Sequence, residues 1–134
     1  MIAVDTSVVI AAFASWHESN AKAVRIVVDR PSLPAPAALE AYAVLTRLPP
    51  PHRADGPIVR DFLSRAFPPE LLVLPAERTS RLVTDLVEMG IRGGASYDAV
   101  IAMTAEAHGC QLVTLDARAQ ATYDRVGVAA RLLA

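Results

Sequence analysis

The sequence predicts an α/β fold with a short, mainly parallel central sheet, and two features of the chain support that prediction. Short apolar runs alternate with helix-like segments, which is typical of parallel strands joined by helical crossovers. The runs Ile2–Val4 and Gln111–Thr114 are each closely followed by a carboxylate, at Asp5 and Asp116. Charged residues at strand ends lie at the C-terminal edge of a parallel sheet, where α/β proteins bind ligands. The expected architecture has three layers, with helices on both faces of the sheet.

The individual elements follow from the spacing of apolar residues. Five segments have the character of strands, at residues 2–4, 33–35, 71–74, 111–114 and, weakly, 128–130. Between them, the apolar periodicity predicts helices at residues 7–14, 18–29, 36–47, 57–66, 78–89, 97–108 and 117–125. Prolines and glycines mark several helix ends. Two helices between the first and second strands predict an arm that projects from the sheet.

Length and composition limit the class of protein. A chain of 134 residues is expected to form one domain, spanning residues 1–134. An apolar content of 53% with 20% charged residues excludes a disordered chain. No apolar run reaches the roughly 18–20 residues of a membrane helix, and the start of the chain does not resemble a signal peptide. The single cysteine, Cys110, excludes an internal disulfide framework, so we expect a cytoplasmic protein.

Four acidic residues occupy similar local positions. Asp5 and Asp116 follow strands, whereas Glu40 and Asp98 lie in the first turns of predicted helices whose neighbouring residues are small or apolar. Each acid alone has a simpler explanation, because carboxylates cap helices and favour the positive end of the helix dipole. Their repetition at one edge of the predicted sheet instead predicts a shared pocket. Clustered carboxylates repel one another unless a cation compensates, and oxygen ligands suit Mg²⁺ or Mn²⁺.

The order and spacing of these residues resemble the PIN-domain ribonucleases, in particular the VapC-type toxins of bacterial toxin–antitoxin systems. The matching segments contain Val4-Asp5-Thr6-Ser7, Glu40, Asp98-Ala99-Val100-Ile101-Ala102 and Thr114-Leu115-Asp116. The late segments Thr122-Tyr123 and Gly127-Val128 also resemble the family's C-terminal part. No single motif is specific, but the ordered set covers almost the whole chain.

This resemblance implies roles for the four acids. Asp5 and Asp98 would be the primary ligands of Mg²⁺ or Mn²⁺, Asp116 would complete the site, and Glu40 would orient or deprotonate the attacking water. Many relatives have a further acid two residues after the fourth, where this chain has Arg118. Because a ligand for a second metal ion is then missing, the difference argues against a second metal site. The guanidinium of Arg118 could bind a substrate phosphate instead.

Three further residues are expected to support the site. Thr6 lies next to Asp5 in the sequence. Thr114 either hydrogen-bonds to a site carboxylate or only favours the strand. Arg92 precedes Gly93-Gly94, which either form a lip over the substrate or a plain turn. The predicted substrate is structured RNA, with transfer RNA as the first candidate from the resemblance.

The resemblance also implies protein partners. A cognate VapB-type antitoxin is expected to inhibit the toxin, and homodimers are common in the family. An apolar groove for a partner helix is one interpretation of Val9, Phe13 and Trp16, and burial in the core is the alternative.

Two other functions remain open from the sequence. An aspartyl-phosphate phosphatase would use Asp5 as its nucleophile, but that chemistry usually needs a second aspartate two residues later, where this chain has Ser7, and a lysine for the phosphate. The only lysine, Lys22, falls inside a predicted helix. A non-catalytic RNA-binding module of the same fold would not need a complete acidic set.

Overall fold

Three short strands form a parallel sheet at the centre of the protein. The computed structural model describes residues 1–134. The strands are β1 (Ile2–Val4), β2 (Gln111–Thr114) and β3 (Ala130–Leu132), in the spatial order β1-β2-β3. The sheet is parallel throughout, so the carboxyl ends of β1 and β2 lie side by side and the residues that follow them meet at one edge.

Eight helices surround this sheet, which confirms the predicted α/β class. In chain order they are α1 (Thr6–Phe13), α2 (Asn20–Val27), α3 (Ala35–Arg47), α4 (Gly56–Ala66), α5 (Ala76–Ser80), α6 (Leu82–Glu88), α7 (Ala95–Ala107) and α8 (Gln120–Val126). A 3₁₀ turn, Ala117–Ala119, precedes α8. No helix has both the length and the apolar character needed to cross a membrane.

Two of the predicted strands are reduced to single bridges. Ser32 pairs with Ala3, and Pro34 pairs with Leu72, without extended ladders. The prediction of strands at residues 33–35 and 71–74 is therefore wrong in extent. Prolines at positions 31 and 34 lack the N–H group that a continuous ladder requires, which explains why the pairing stops.

The prediction of a strand at residues 128–130 is wrong by two residues. The helix α8 ends at Gly127, whose left-handed φ of 90° allows the N–H of Gly127 and of Val128 to reach the carbonyl of Tyr123. Val128 thus still belongs to the helix cap, and β3 begins only at Ala130.

The helix predicted at residues 78–89 is divided in two. The first piece, α5, ends at Ser80, and Arg81 has non-helical torsions of φ −95° and ψ 1°. In α5 the Thr79 hydroxyl is 3.2 Å from the carbonyl of Leu74 and 3.1 Å from that of Pro75. Such bonds between a side chain and the backbone compete with regular helix geometry.

The helical arm is formed by α1 and α2, which follow β1 and pack against each other. Val9 is fully buried, and Phe13 meets Phe62 of α4 edge-on with ring centroids 5.3 Å apart. Trp16, at the turn between the two helices, is half-exposed. Of the two alternatives for these residues, burial in the core holds for Val9, whereas Phe13 is partly buried and Trp16 remains exposed.

Candidate active site

Asp5 stands at the carboxyl end of β1 and is held by hydrogen bonds on both of its oxygens. Its Oδ1 accepts the backbone N–H of Ser7 at 3.0 Å and the Ser7 hydroxyl at 2.5 Å, with the N–H of Val8 at 3.4 Å. These bonds make Asp5 the N-cap of α1. The sequence presented helix capping and a place among the acids as alternatives for Asp5. The capping role is present in the structure and does not exclude the other.

The other oxygen of Asp5 is bound by a residue to which the sequence gave no role. The Tyr123 hydroxyl donates to Asp5 Oδ2 at 2.6 Å, although the two residues are 118 positions apart. Tyr123 is fully buried, and burial, together with the charge of Asp5, raises the pKa of its hydroxyl. Tyr123 therefore remains a neutral donor and holds the Asp5 carboxylate in one orientation. Only the late Thr122-Tyr123 pair indicated this position, without suggesting its contact.

A chain of hydrogen bonds links Asp5 to the end of β2. The Ser7 hydroxyl accepts the N–H of Leu115 at 2.9 Å and lies 3.4 Å from the Thr114 hydroxyl. The Thr114 hydroxyl in turn accepts the N–H of Asp116 at 2.9 Å. Thr114 thus supports the backbone of Asp116 and makes no hydrogen bond to a carboxylate.

Glu40 reaches the same pocket from α3. The Thr6 hydroxyl donates to Glu40 Oε1 at 2.6 Å, which joins the start of α1 to the middle of α3. Glu40 Oε2 makes no hydrogen bond within the protein. Oε1 is therefore fixed, whereas Oε2 is free to accept a proton or a hydrogen bond from water. Thr6 was expected to support the site, and this contact gives it a specific part.

Asp98, in the first turn of α7, is the least constrained of the four acids. It makes no hydrogen bond to the protein and is partly exposed. Burial, followed by the charges of Glu40, Asp5 and Asp116, raises the pKa of Asp98 from 3.8 to about 6. The other three carboxylates therefore lie close enough to Asp98 for their charges to disfavour its ionised form.

The donor set suits a hard cation, but the side chains do not form a finished cage. No three Asp, Glu, His or Cys side chains are arranged as a ready-made metal cluster in this structure. The donors are all carboxylate oxygens, which Mg²⁺ and Mn²⁺ prefer, and their mutual repulsion favours a cation among them. The residues therefore fit such an ion chemically. Asp98, which has no bonds to break, is free to rotate toward one.

The two arginines expected at the site are both exposed. The guanidinium Nε of Arg118 is 3.8 Å from Asp116 Oδ1, and the Arg118 side chain is 95% exposed. The backbone N–H of Arg118 donates to the same oxygen at 2.9 Å. Such an exposed ion pair contributes little to stability and leaves the guanidinium available. Arg92 is exposed just before α7 and makes no hydrogen bond.

The fold and this pocket define a member of the PIN-domain family, whose family model matches residues 2–125. Within that family the chain belongs to the VapC ribonucleases. It is 45% identical over 133 residues to "Ribonuclease VapC40" of Mycobacterium tuberculosis, covering 99% of both chains.

Two solved structures have the same fold at low identity. The VapBC2 complex from Rickettsia felis, bound to a promoter DNA fragment, gives a TM-score of 0.68 at 18% identity and covers 100% of both chains. Mycobacterium tuberculosis VapC20, described as a toxin that cleaves the sarcin–ricin loop, gives a TM-score of 0.68 at 20% identity, covering 90% of this chain and 94% of VapC20. The predicted resemblance to VapC-type PIN domains is confirmed.

Proposed function

We propose that this chain is a Mg²⁺- or Mn²⁺-dependent endoribonuclease toxin whose acidic pocket consists of Asp5, Glu40, Asp98 and Asp116. The observation that carries the proposal is the pKa of Asp98, raised to about 6 by burial and by the charges of the other three acids. A pocket of four repelling carboxylates costs folding free energy, and a cation offsets that cost. The name of the 45% identical relative supports RNA as the substrate.

The residues divide the chemistry among them. A bound divalent ion would supply positive charge that polarises a phosphate and acidifies a water. Asp5 and Asp98 would hold that ion, with Asp116 completing the set. Asp5 is already oriented by Ser7 and Tyr123, so little reorganisation is needed on that side.

Glu40 is suited to the proton transfer. Because Thr6 holds Oε1, the free Oε2 has a defined position from which to accept the proton of an attacking water. Arg118, paired with Asp116, and the exposed Arg92 would contact substrate phosphates, since guanidinium groups match phosphate oxygens. Because the net charge is −1, the protein as a whole does not attract RNA, and such local cations would have to bind the substrate.

The substrate class we favour is structured RNA, with transfer RNA as the first candidate, and the site of action is the cytoplasm. VapC20 is described as cutting a structured RNA loop, which supports this class. A phosphatase using Asp5 is disfavoured, because the only lysine, Lys22, lies on α2 in the arm and not among the acids.

A cognate antitoxin of the VapB type is part of the proposal, and the structure of the VapBC2 complex supports it. An apolar groove of about 700 Å³ lies between α3 and α4. Its lining includes Leu39, Tyr42, Leu63 and Leu71, with Arg60 as the one charged residue. This groove suits an apolar partner segment carrying an acid, and it replaces the surface on α1 that the sequence suggested.

The test is cleavage of purified transfer RNA by the chain freed of any bound protein. We expect discrete fragments with Mg²⁺ or Mn²⁺, none with EDTA, and none from Asp98→Asn with either ion. Asp61→Asn, an exposed acid on α4, is the matched control and should cleave like wild type. Hydrolysis of a small phosphate ester without RNA cleavage would instead establish the phosphatase.

A further inference from the structure

The tip of the helical arm presents an aromatic pair to solvent. Trp16, between α1 and α2, is 50% exposed. Its ring centroid lies 4.2 Å from that of His52, with the planes tilted by 36°. His17 is a further neighbour, with its ring centroid 6.1 Å away. His52 therefore supports the indole from one side and leaves much of it open.

Hydrogen bonds in the adjoining turns fix this tip before any ligand binds. The amide of Asn20 donates to the carbonyl of Ala11 at 2.8 Å, and His17 Nδ1 accepts the N–H of Ser19 at 3.0 Å. The N–H of His52 donates to the carbonyl of Pro49 at 3.1 Å. A preformed aromatic surface loses little conformational entropy when it binds a ligand.

The tip is connected to the acidic pocket by two helices. The helix α1 begins directly after Asp5 and ends at Phe13, three residues before Trp16, while α3 carries Glu40 and ends at Arg47, five residues before His52. Arg47 is seven residues after Glu40, so it lies on the same face of α3, roughly 10 Å further along the helix. An exposed cation therefore lies between the carboxylates and the aromatic pair.

The surroundings of Trp16 favour a planar base over a partner helix. Its chain neighbours Ser15, Glu18 and Ser19 are polar, whereas a docked helix needs several apolar anchors in a row. Stacking of a single base needs one open aromatic face and nearby positive charge. Arg47, at the end of α3, and Arg53, directly after His52, are both exposed.

We infer that Trp16, supported by His52, stacks an unpaired base of the RNA substrate, and that Arg47 binds the phosphate backbone between that base and the acidic pocket. The inference rests on the proposed RNA cleavage and adds to it a second point of contact. Such a contact selects RNA with an unpaired base at a fixed distance from the cut bond.

The chain contains one tryptophan, so its intrinsic fluorescence reports on Trp16 alone. In the Asp98→Asn protein with EDTA, where RNA stays intact, titration with transfer RNA is expected to quench the emission saturably. Polyphosphate, which has charge but no bases, is expected to leave it almost unchanged. Equal quenching by polyphosphate would overturn the stacking assignment.

Cleavage kinetics supply the second measurement. Trp16→Ala is expected to raise KM for RNA roughly 5- to 100-fold, the range for loss of one base stack, and Trp16→Phe is expected to restore most of the loss. Val87→Ala, which removes an exposed apolar side chain from α6, is the matched control and should keep the wild-type KM. Melting temperatures of all variants separate lost binding from lost folding.

The outcomes distinguish the two proposals. Cleavage by wild type with an unchanged KM in Trp16→Ala overturns the stacking inference and leaves the nuclease intact. Absence of cleavage by wild type overturns the proposed function, and the inference falls with it. A change in Trp16 emission on binding a co-purified protein partner, with none on binding RNA, would make the arm tip a protein contact and contradict the inference.

Discussion

The two sides of the acidic pocket differ in how firmly the fold holds them. Asp5 is 3% exposed and is bonded by Ser7, Val8 and Tyr123, which come from both ends of the chain. Asp98 is partly exposed, makes no hydrogen bond, and has its pKa raised to about 6. Hydrogen bonds thus fix Asp5 in place, whereas Asp98 has no hydrogen bond and is repelled by the charges of the other acids. Loss of Asp5 should therefore weaken both the fold and cation binding, whereas loss of Asp98 should weaken cation binding and leave the fold intact.

Replacement of Asp98 gives the largest expected effect on activity. Asp98→Asn should lower RNA cleavage by at least about 100-fold, because a ligand charge is lost from the metal site. The fold should remain intact, since no hydrogen bond is broken. Growth arrest in cells that express the variant measures the loss of activity, and circular dichroism of the purified variant measures the fold. A variant that is folded and still toxic would remove Asp98 from the site.

Replacement of Asp5 should damage the fold as well as the activity. Asp5→Ala removes the cap of α1 and leaves the buried Tyr123 hydroxyl without its acceptor, at a cost of about 2–4 kcal/mol. Denaturant unfolding in EDTA compares it with Asp98→Asn. Equal stability of the two variants would contradict the distinction between the two sides.

Tyr123 tests whether preorganisation of Asp5 matters for the cation. Tyr123→Phe preserves the ring and removes only the donor, so Mn²⁺ affinity should fall roughly 10-fold, as for other residues that orient metal ligands. Calorimetric titration measures the affinity, and Tyr97→Phe, with an exposed ring on α7, serves as control. Unchanged affinity in Tyr123→Phe would show that the hydrogen bond serves folding alone.

The raised pKa of Asp98 predicts a pH dependence of stability. Because the folded-state pKa of about 6 exceeds the ordinary 3.8, the folded state binds the proton more tightly, and the metal-free protein loses stability as pH rises from 4 to 6. In EDTA at pH 7.5, Asp98→Asn should be more stable than wild type by about 1 kcal/mol at most, since Asp98 is only partly buried. The difference should vanish near pH 4, and a constant difference would argue against repulsion.

Arg118 should give the smallest effect. Arg118→Ala breaks an exposed pair with Asp116, so unfolding free energy should change by less than about 0.5 kcal/mol. If the guanidinium binds a phosphate, KM for RNA should rise and its salt dependence should weaken by about one charge. A variant with wild-type KM at every salt concentration would exclude Arg118 from substrate binding.

The positions of two of the acids could be inferred from the sequence, whereas one of their supporting contacts could not. Asp5 and Asp116 were recognisable because each follows an apolar strand, and parallel strands bring their ends together. Tyr123 was not recognisable, because a tyrosine in a helix near the end of the chain has the same local pattern whether it packs in the core or bonds an aspartate. Its role depends on a contact across 118 positions, which local spacing cannot reveal.

The same limit applies to the secondary structure. Central strands β1 and β2 and the long helices were predicted within about two residues, since their apolar patterns are strong. The segments at 33–35 and 71–74 were overestimated, because apolar composition favoured strands while the prolines prevented a ladder. The sequence left burial open for Val9 and Trp16, and the structure separates them: Val9 is core, whereas Trp16 is half-exposed.

Cation binding by the metal-free protein tests the central claim most directly. Calorimetric titration with Mn²⁺ at pH 7.5 should show binding to wild type, strong loss of affinity in Asp98→Asn, and no loss in Asp61→Asn. Absence of binding to wild type, or equal binding by wild type and Asp98→Asn, would contradict a shared cation site in the acidic pocket.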